Sequence, residues 1–189
     1  MKKSSYKIQK RNDLIDRLDR ILGWTNNCDT KTSIILATFG ILTTLFGSEF
    51  FIVKFKTIIF YNLVSIDFAK IVFLLLLMTG FCCYLIGLFF LILELFPSLV
   101  TKNNHNLNQS STFFFGMIIN KELSVFKQEM LNLNIDEEID DLISQVYINS
   151  TICARKYNFV KKGVLFSCLG FLSICVLLCI GYVISKANQ

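Results

Sequence analysis

Arg155, Lys156 and Tyr157 are neighbouring side chains suited to binding a ligand that is both anionic and flat. The two cations can form charge-assisted hydrogen bonds with a phosphate, and the phenol ring can stack against a base. The same residues come shortly before a long apolar stretch, and cations and tyrosine commonly anchor the end of a membrane span. The sequence therefore supports either a phosphate-binding group or a membrane anchor at these positions.

Asn149 and Ser150 lie upstream, where they interrupt an apolar pattern that includes Val146 and Cys153. A polar residue within an apolar helix seam often fixes the register of packing. It can also line a ligand pocket. Both interpretations stay open from the sequence.

No motif for catalysis or metal binding is present. The sequence lacks H-E-x-x-H, G-x-S-x-G and the phosphate-loop glycine pattern. The single histidine, His105, has no cysteine near it, and the seven cysteines include no C-x-x-C pair. We expect no catalytic residue, no metal and no cofactor, and we predict that the protein is not an enzyme.

The composition is that of a membrane protein. Of the 189 residues, 53% are hydrophobic and only 17% are charged, whereas soluble domains have about 25% charged residues. The mean hydropathy is +0.56. These values argue against a disordered chain and against an ordinary soluble enzyme.

Three segments are long enough to cross a bilayer, which takes about 20 apolar residues. We predict transmembrane helices at 32–53, 71–96 and 163–185. The outer connection, 54–70, is rich in Phe and Ile, which indicates an interfacial or membrane-dipping piece. A fourth, partial span there is the alternative. Residues 186–189 form a short outer tail.

The basic residues predict the orientation. Residues 1–31 contain eight Lys or Arg and residues 97–162 contain seven, against three in 54–70 and one in 186–189. Because basic segments stay in the cytoplasm, the N-terminus and residues 97–162 are predicted to be cytoplasmic.

The cytoplasmic segments have helical patterns. Within 1–31, apolar residues recur at spacings of three and four from residue 8 to residue 24. In 97–162 we predict a flexible loop at 101–112, then a helix over about 113–131. Asn134 and Glu137 resemble a capping box at the start of a further helix.

That last helix has no stop signal before the membrane, so it is predicted to continue through the third span as one helix of about 50 residues. Its apolar repeat alternates four and three from Ile139 to Leu178, which predicts a packed seam within the chain or between copies. The predicted fold is all-α: an integral membrane protein with three transmembrane helices and a small helical cytoplasmic part, the last span being continuous with a long cytoplasmic helix.

Three groups of residues together resemble a known family, the transmembrane effectors of bacterial Pycsar (pyrimidine cyclase) anti-phage systems. The resemblance covers about residues 10–185. The residues that carry it are Trp24 followed by Asp29 and Lys31; Phe114, Phe115 and Gly116; and Asn149 and Ser150 followed by Arg155, Lys156 and Tyr157.

The resemblance implies an anti-phage defence effector at the bacterial inner membrane. It would sense a cyclic pyrimidine nucleotide, cCMP or cUMP, made by a partner cyclase, and would impair the membrane in abortive infection. Its implied partners are membrane lipids, that nucleotide and further copies of the chain, and no nucleic acid. The ligand-binding candidates are Trp24, Asp29, Lys31, Phe115, Gly116, Asn149, Ser150, Arg155, Lys156 and Tyr157.

A different function is also compatible with the pattern. A membrane adaptor or assembly subunit would use the long heptad helix to bind a protein partner and would bind no nucleotide. A channel or transporter subunit fits less well, since the spans hold almost no charge at mid-membrane depth.

Overall fold

The computed structural model describes residues 2–64, 67–96 and 111–187. Six helices occupy these ranges: α1 Lys2–Phe46, α2 Glu49–Val64, α3 Phe68–Leu95, α4 Phe115–Ile118, α5 Leu123–Asn132 and α6 Ile135–Ala187. The described part of the chain contains no strand. Most of the predicted loop at 101–112, including His105, lies outside the described residues.

The chain divides into two compact units. Unit 1 comprises Met1–Cys28 and Pro97–Lys156, and unit 2 comprises Asp29–Phe96 and Tyr157–Gln189. Helices α1 and α6 contribute residues to both units.

Helix α6 confirms the predicted long helix, with 53 residues and no break. Its start is the predicted capping box. The Asn134 backbone N–H donates to Glu137 Oε2 at 3.3 Å, and the Asp136 N–H donates to Asn134 Oδ1 at 3.5 Å. Acidic residues fill the first turn, where the positive end of the helix dipole favours them.

Two apolar helices are long enough to cross a membrane, Phe68–Leu95 and Ile135–Lys186, among the residues described. A third crossing is present if Ser5–Phe46 and Phe51–Phe60, which meet at 64°, form one bent span. The prediction of an all-α integral membrane protein is therefore confirmed, with two or at most three such spans in the described part of the chain. The residue limits of the predicted segments stay predictions.

The predicted first span, 32–53, is shared between α1 and α2. Helix α1 ends at Phe46, and a turn at Gly47 and Ser48 follows. Ser48 Oγ then accepts a hydrogen bond from the Phe51 N–H at 3.4 Å, which caps the start of α2. The outer connection is accordingly helical as far as Val64.

The single helix predicted over 113–131 is wrong in one respect, because the structure divides it into α4 and α5. The Asn120 side chain donates to the Gly116 carbonyl at 2.8 Å, and Glu122 has an extended backbone with ψ 143°. The extended backbone of Glu122 interrupts the helical ladder and separates α4 from α5.

In unit 1, α1 and α6 run parallel. Lys7 pairs with Asp136 at 2.5 Å and Arg11 pairs with Glu138 at 2.7 Å, so residue numbers increase together along both helices. These ion pairs are partly exposed and contribute little to stability, about 0–1 kcal/mol each. Their consequence is to fix the register of the two helices.

The buried stripe of α6 in unit 1 differs from the predicted seam. Ile139 and Cys153 are buried as expected, but Ile143 is 43% exposed and Ser150 is exposed. The helix instead buries Leu142, Gln145 and Lys156. The spacing of apolar residues correctly predicted a 4-3 repeat on α6. It did not predict which of two adjacent stripes of that repeat packs against the core of unit 1.

Unit 2 packs around a core of α1, α2, α3 and α6. The Tyr84 ring lies edge-on to Phe39, and its hydroxyl donates to the Phe39 carbonyl at 3.1 Å. The predicted membrane part of the α6 seam is confirmed, since Ser167, Ile174 and Leu178 are buried. The buried residues of the core are Phe39, Ile58, Leu77, Tyr84, Leu91, Ile174 and Leu178.

Glycines bring α3 and α6 into close contact in unit 2. A Cβ atom on Gly170 would lie 2.7 Å from Tyr84 Cα, and one on Gly87 would lie 2.8 Å from Ser167 Cα. Because the facing pairs run in opposite directions along the chain, the two helices are antiparallel. Small residues let membrane helices approach this closely and gain van der Waals contact.

We predict that Gly170→Ala lowers the thermal stability of the protein in nanodiscs, because the new methyl group would overlap the α3 backbone. Overpacking of this kind costs about 1–3 kcal/mol. Gly40→Ala is the matched control, since nothing lies within 4 Å of a Cβ there. Alanine favours a helix over glycine by about 1 kcal/mol, so this control should melt no lower than the wild type. Equal melting temperatures for the two variants would contradict the close contact.

Candidate functional site

Asp141 is a buried carboxylate in unit 1. Its residue is 5% exposed and lies on α6. The Oδ2 atom accepts three hydrogen bonds: from Ser111 Oγ at 3.1 Å, from the Thr112 N–H at 2.8 Å and from Thr112 Oγ1 at 3.1 Å. A charged group can be buried only when such bonds replace its hydration.

Ser111 is the second centre of this arrangement. It is 2% exposed, and its Oγ accepts hydrogen bonds from the Phe113 and Phe114 N–H groups, each at 3.1 Å. Gln145, one turn after Asp141 on α6, donates to the same oxygen at 3.0 Å. We name Ser111, Thr112, Asp141 and Gln145 the Asp141 cluster. It attaches the chain before α4 to α6.

One oxygen atom of the Asp141 cluster can still accept hydrogen bonds. Asp141 Oδ1 is buried and accepts no hydrogen bond from any described residue. Native proteins satisfy most buried polar atoms, so an unsatisfied carboxylate oxygen calls for a functional or structural explanation. Chemically, this oxygen can accept one or two further N–H or O–H groups.

The aromatic motif before α4 lies directly beside the cluster in the chain. A Cβ atom on Gly116 would lie 2.7 Å from Phe114 Cε1, so the Phe114 ring covers the glycine. The Phe115 ring lies 5.0 Å from the Phe114 ring between centroids and is 70% exposed. A side chain at position 116 would therefore have to move the Phe114 ring, and Phe115 is accessible to a ligand or partner.

The ten predicted ligand-binding residues are distributed over both units. Those in unit 2 are Asp29, Lys31 and Tyr157, at the ends of its chain segments. Those in unit 1 are Trp24, Phe115, Gly116, Asn149, Ser150, Arg155 and Lys156.

Exposure distinguishes the candidates of unit 1. Trp24 is 56% exposed, and Phe115 and Arg155 are also exposed, so all three are accessible. Lys156 is only 7% exposed and is held inside the protein. Ser150 and Asn149 donate to carbonyls of their own helix, at 2.7 and 2.8 Å.

The unit 2 candidates differ among themselves as well. Lys31 and Tyr157 are exposed, whereas Asp29 is half-buried and accepts a hydrogen bond from Ser33 Oγ at its backbone carbonyl. The last contact belongs to a helical turn and does not involve the carboxylate. The binding roles of all ten residues stay predictions.

Sequence reasoning missed the Asp141 cluster. The capping box of Asn134 and Glu137 indicates only the start of α6, and Asp141 lies beyond that first turn. The available signal was the i,i+4 pair of Asp141 and Gln145 on either side of the fully buried Leu142. Two polar residues flanking a core position in this way indicate a buried polar network.

Comparison with known proteins agrees with this architecture. Residues 13–184 match the model of the Pycsar effector protein domain. The Pycsar effector protein GmPycTM of Gulbenkiania mobilis is 35% identical over 162 residues, which cover 80% of this chain and 83% of that protein. No solved structure matches the chain significantly.

The fold defines a class: helical membrane proteins that contain a polar helical unit and an apolar one. Within that class, the match over most of its length places the chain in the Pycsar effector family. It is therefore a transmembrane protein of antiviral defence, in a family whose signal is a cyclic nucleotide from a partner cyclase.

We predict that Asp141→Ala releases the 111–114 segment from α6. Three hydrogen bonds to Asp141 Oδ2 would be lost, and a bond to a charged group is worth about 1.5–3 kcal/mol. Hydrogen exchange at the Thr112 amide should accelerate by at least about tenfold, as 1.4 kcal/mol corresponds to a factor of ten. Asp140→Ala, at an exposed neighbour, should leave that exchange unchanged. Slow exchange in both variants would refute the attachment.

Proposed function

We propose that this protein senses a cyclic pyrimidine nucleotide, cCMP or cUMP, through unit 1 and then impairs the bacterial inner membrane through unit 2. The outcome is abortive infection of a phage-infected cell. Its family membership supports the ligand class, and the separation into a polar and an apolar unit supports the division of roles.

The Asp141 cluster is the observation that carries the assignment of sensing to unit 1. The Watson–Crick edge of cytosine offers an amino group and that of uracil an N–H, and aspartate oxygens accept such donors. Asp141 Oδ1 is a buried acceptor of this kind, beside the motif that contains Phe115. Ser111 and Thr112 bind the other oxygen of the same carboxylate, so a nucleotide that engages Asp141 would displace that segment.

The other unit 1 candidates have complementary chemistry. Arg155 is an exposed cation for the cyclic phosphate, and the exposed rings of Trp24 and Phe115 can stack against the base. Displacement of the 111–114 segment would change the packing against α6, the helix that continues into unit 2. To shift the resting population from about 1:99 to 99:1, the nucleotide must favour the active state by about 5.5 kcal/mol.

The proposal also includes the orientation of the protein in the membrane and the way in which it acts. Residues 1–31 and 97–162 lie in the cytoplasm, which is supported by their many basic residues and by the assignment of 1–28 and 97–156 to one compact unit. The protein acts on lipids and on copies of itself, without catalysis and without a metal or organic cofactor.

A second candidate function is a membrane adaptor that binds a protein partner. Its support is the apolar surface of α4, α5 and the adjoining residues, where Ile119 is 80% exposed and Leu123 is 81% exposed. Large exposed apolar side chains in a polar unit are typical of a binding surface. An adaptor would copurify with a fixed partner and would not respond to nucleotide.

We expect the purified protein to release dye from proteoliposomes when one pyrimidine nucleotide is added. Separate samples receive cCMP, cUMP, cAMP or cGMP, and protease accessibility confirms that unit 1 faces the added nucleotide. Leakage with one pyrimidine nucleotide supports a ligand-gated effector. No leakage with any of the four favours the adaptor.

We expect Asp141→Asn to weaken binding of the active nucleotide by about tenfold or more, since the charged acceptor becomes in part a donor. The measurement is calorimetric titration of nucleotide into protein in nanodiscs. Asp140→Asn removes the same charge at the exposed neighbouring position and should bind like the wild type. Equal affinities for the two variants would remove Asp141 from the site while leaving the leakage result intact.

A further inference from the structure

The cytoplasmic half of α6 carries a second, uncharged stripe that the described part of its own chain does not cover. Ile143 is 43% exposed, Tyr147 is 62% exposed, and Ser150 and Ala154 are also exposed. Their spacing is four, three and four, which keeps them on one side of the helix. We name these four residues the 143–154 stripe.

The 143–154 stripe is distinct from the face that packs inside unit 1. A neighbouring side of α6, about 100° around the helix, buries Leu142, Gln145 and Cys153. Helix α6 therefore has two seams of the same heptad period, one occupied and one vacant among the described residues. Two such seams on one helix are typical of a helix that packs against two neighbours.

Charge indicates the identity of the second neighbour. In a parallel symmetric pair, each residue at the centre of the contact faces its own copy. A charge there would face a like charge and oppose association. From residue 142 to residue 154 α6 contains no Asp, Glu, Lys or Arg.

The exposed side of α1 in unit 1 provides the contrast. It displays Asp13, Asp16, Arg17, Asp19 and Arg20, each of which would meet its own copy in a parallel pair. A parallel contact between two copies requires that no like charges meet at its centre. The uncharged stripe on α6 meets this requirement, whereas the exposed side of α1 does not.

The direction of α6 in the membrane and the size of its exposed side chains also favour a second copy of the chain as the partner. Copies inserted in one membrane with one topology present α6 in the same direction, so their contacts are parallel. Ser150 and Ala154 are small and four residues apart, which lets two helix backbones approach closely. Ile143 and Tyr147 add apolar area at one end of the stripe.

We propose that the 143–154 stripe is the contact between copies of this chain, with α6 packed parallel against α6 of the second copy and Tyr147 facing Tyr147. The contact requires no nucleotide. The contact between copies can therefore be tested independently of the proposed sensing function.

The test is energy transfer between donor-labelled and acceptor-labelled copies reconstituted together in liposomes without nucleotide. For the wild type, transfer should persist as lipid is added to dilute the protein. Tyr147→Glu should reduce transfer to the level of a non-interacting membrane protein. Asn12→Glu, which adds the same charge on the exposed side of α1, should retain wild-type transfer.

A mixed sample shows whether lost transfer reflects misfolding. Tyr147→Glu donor copies combined with Tyr147→Lys acceptor copies should recover transfer, since parallel pairing brings the opposite charges together. Neither variant should show transfer with itself. Wild-type transfer in Tyr147→Glu, loss of transfer on dilution of the wild type, or no recovery in the mixture would each overturn the proposal.

Discussion

Helix α6 has one unbroken series of backbone hydrogen bonds from Ile135 to Ala187, and it passes through surroundings of opposite polarity. Inside a bilayer no water can satisfy a backbone N–H or carbonyl, so the membrane half must be helical. The half in unit 1 is under no such requirement and is held as a helix by its packing. At 53 residues and 1.5 Å per residue, the helix is about 80 Å long.

The two halves of α6 use different chemistry to pack. In unit 2, Gly163 and Gly170 expose backbone to α3, and the contact consists of close van der Waals approach. In unit 1, Asp141 and Gln145 attach a chain segment through hydrogen bonds. The van der Waals contact between α6 and α3 offers no hydrogen-bonding group that could be transferred to another partner. The hydrogen bonds in unit 1 can be exchanged for bonds to a ligand, which is why a sensing role suits the polar half.

Much of this architecture followed from the sequence. Apolar length and periodicity predicted an all-α membrane protein, and the capping residues placed the start of α6 at the correct position. Local rules did not predict the separation of α4 from α5, since no proline or glycine lies near the extended backbone of Glu122, between residues 117 and 123. Nor did they identify the Asp141 cluster, whose members come from segments about 30 residues apart in the chain.

The misplaced seam in unit 1 has a physical cause. Sequence periodicity shows which residues share a side of a helix, but not which of two neighbouring sides meets the rest of the chain. Ile143 and Leu142 are both apolar, and only the tertiary fold buries the second completely. The side of α6 that contains Leu142 and the side that contains Ile143 have the same heptad period, so the sequence alone does not distinguish them.

The continuity of α6 also limits how the chain can change in length during evolution. Gly163 and Gly170 both face α3 from one side of the same helix, and one added or deleted residue between them would rotate one against the other by about 100°. Point substitutions between these positions leave that angle intact. Lineages of this protein should accumulate substitutions at exposed positions between residues 163 and 170, while insertions and deletions are eliminated there.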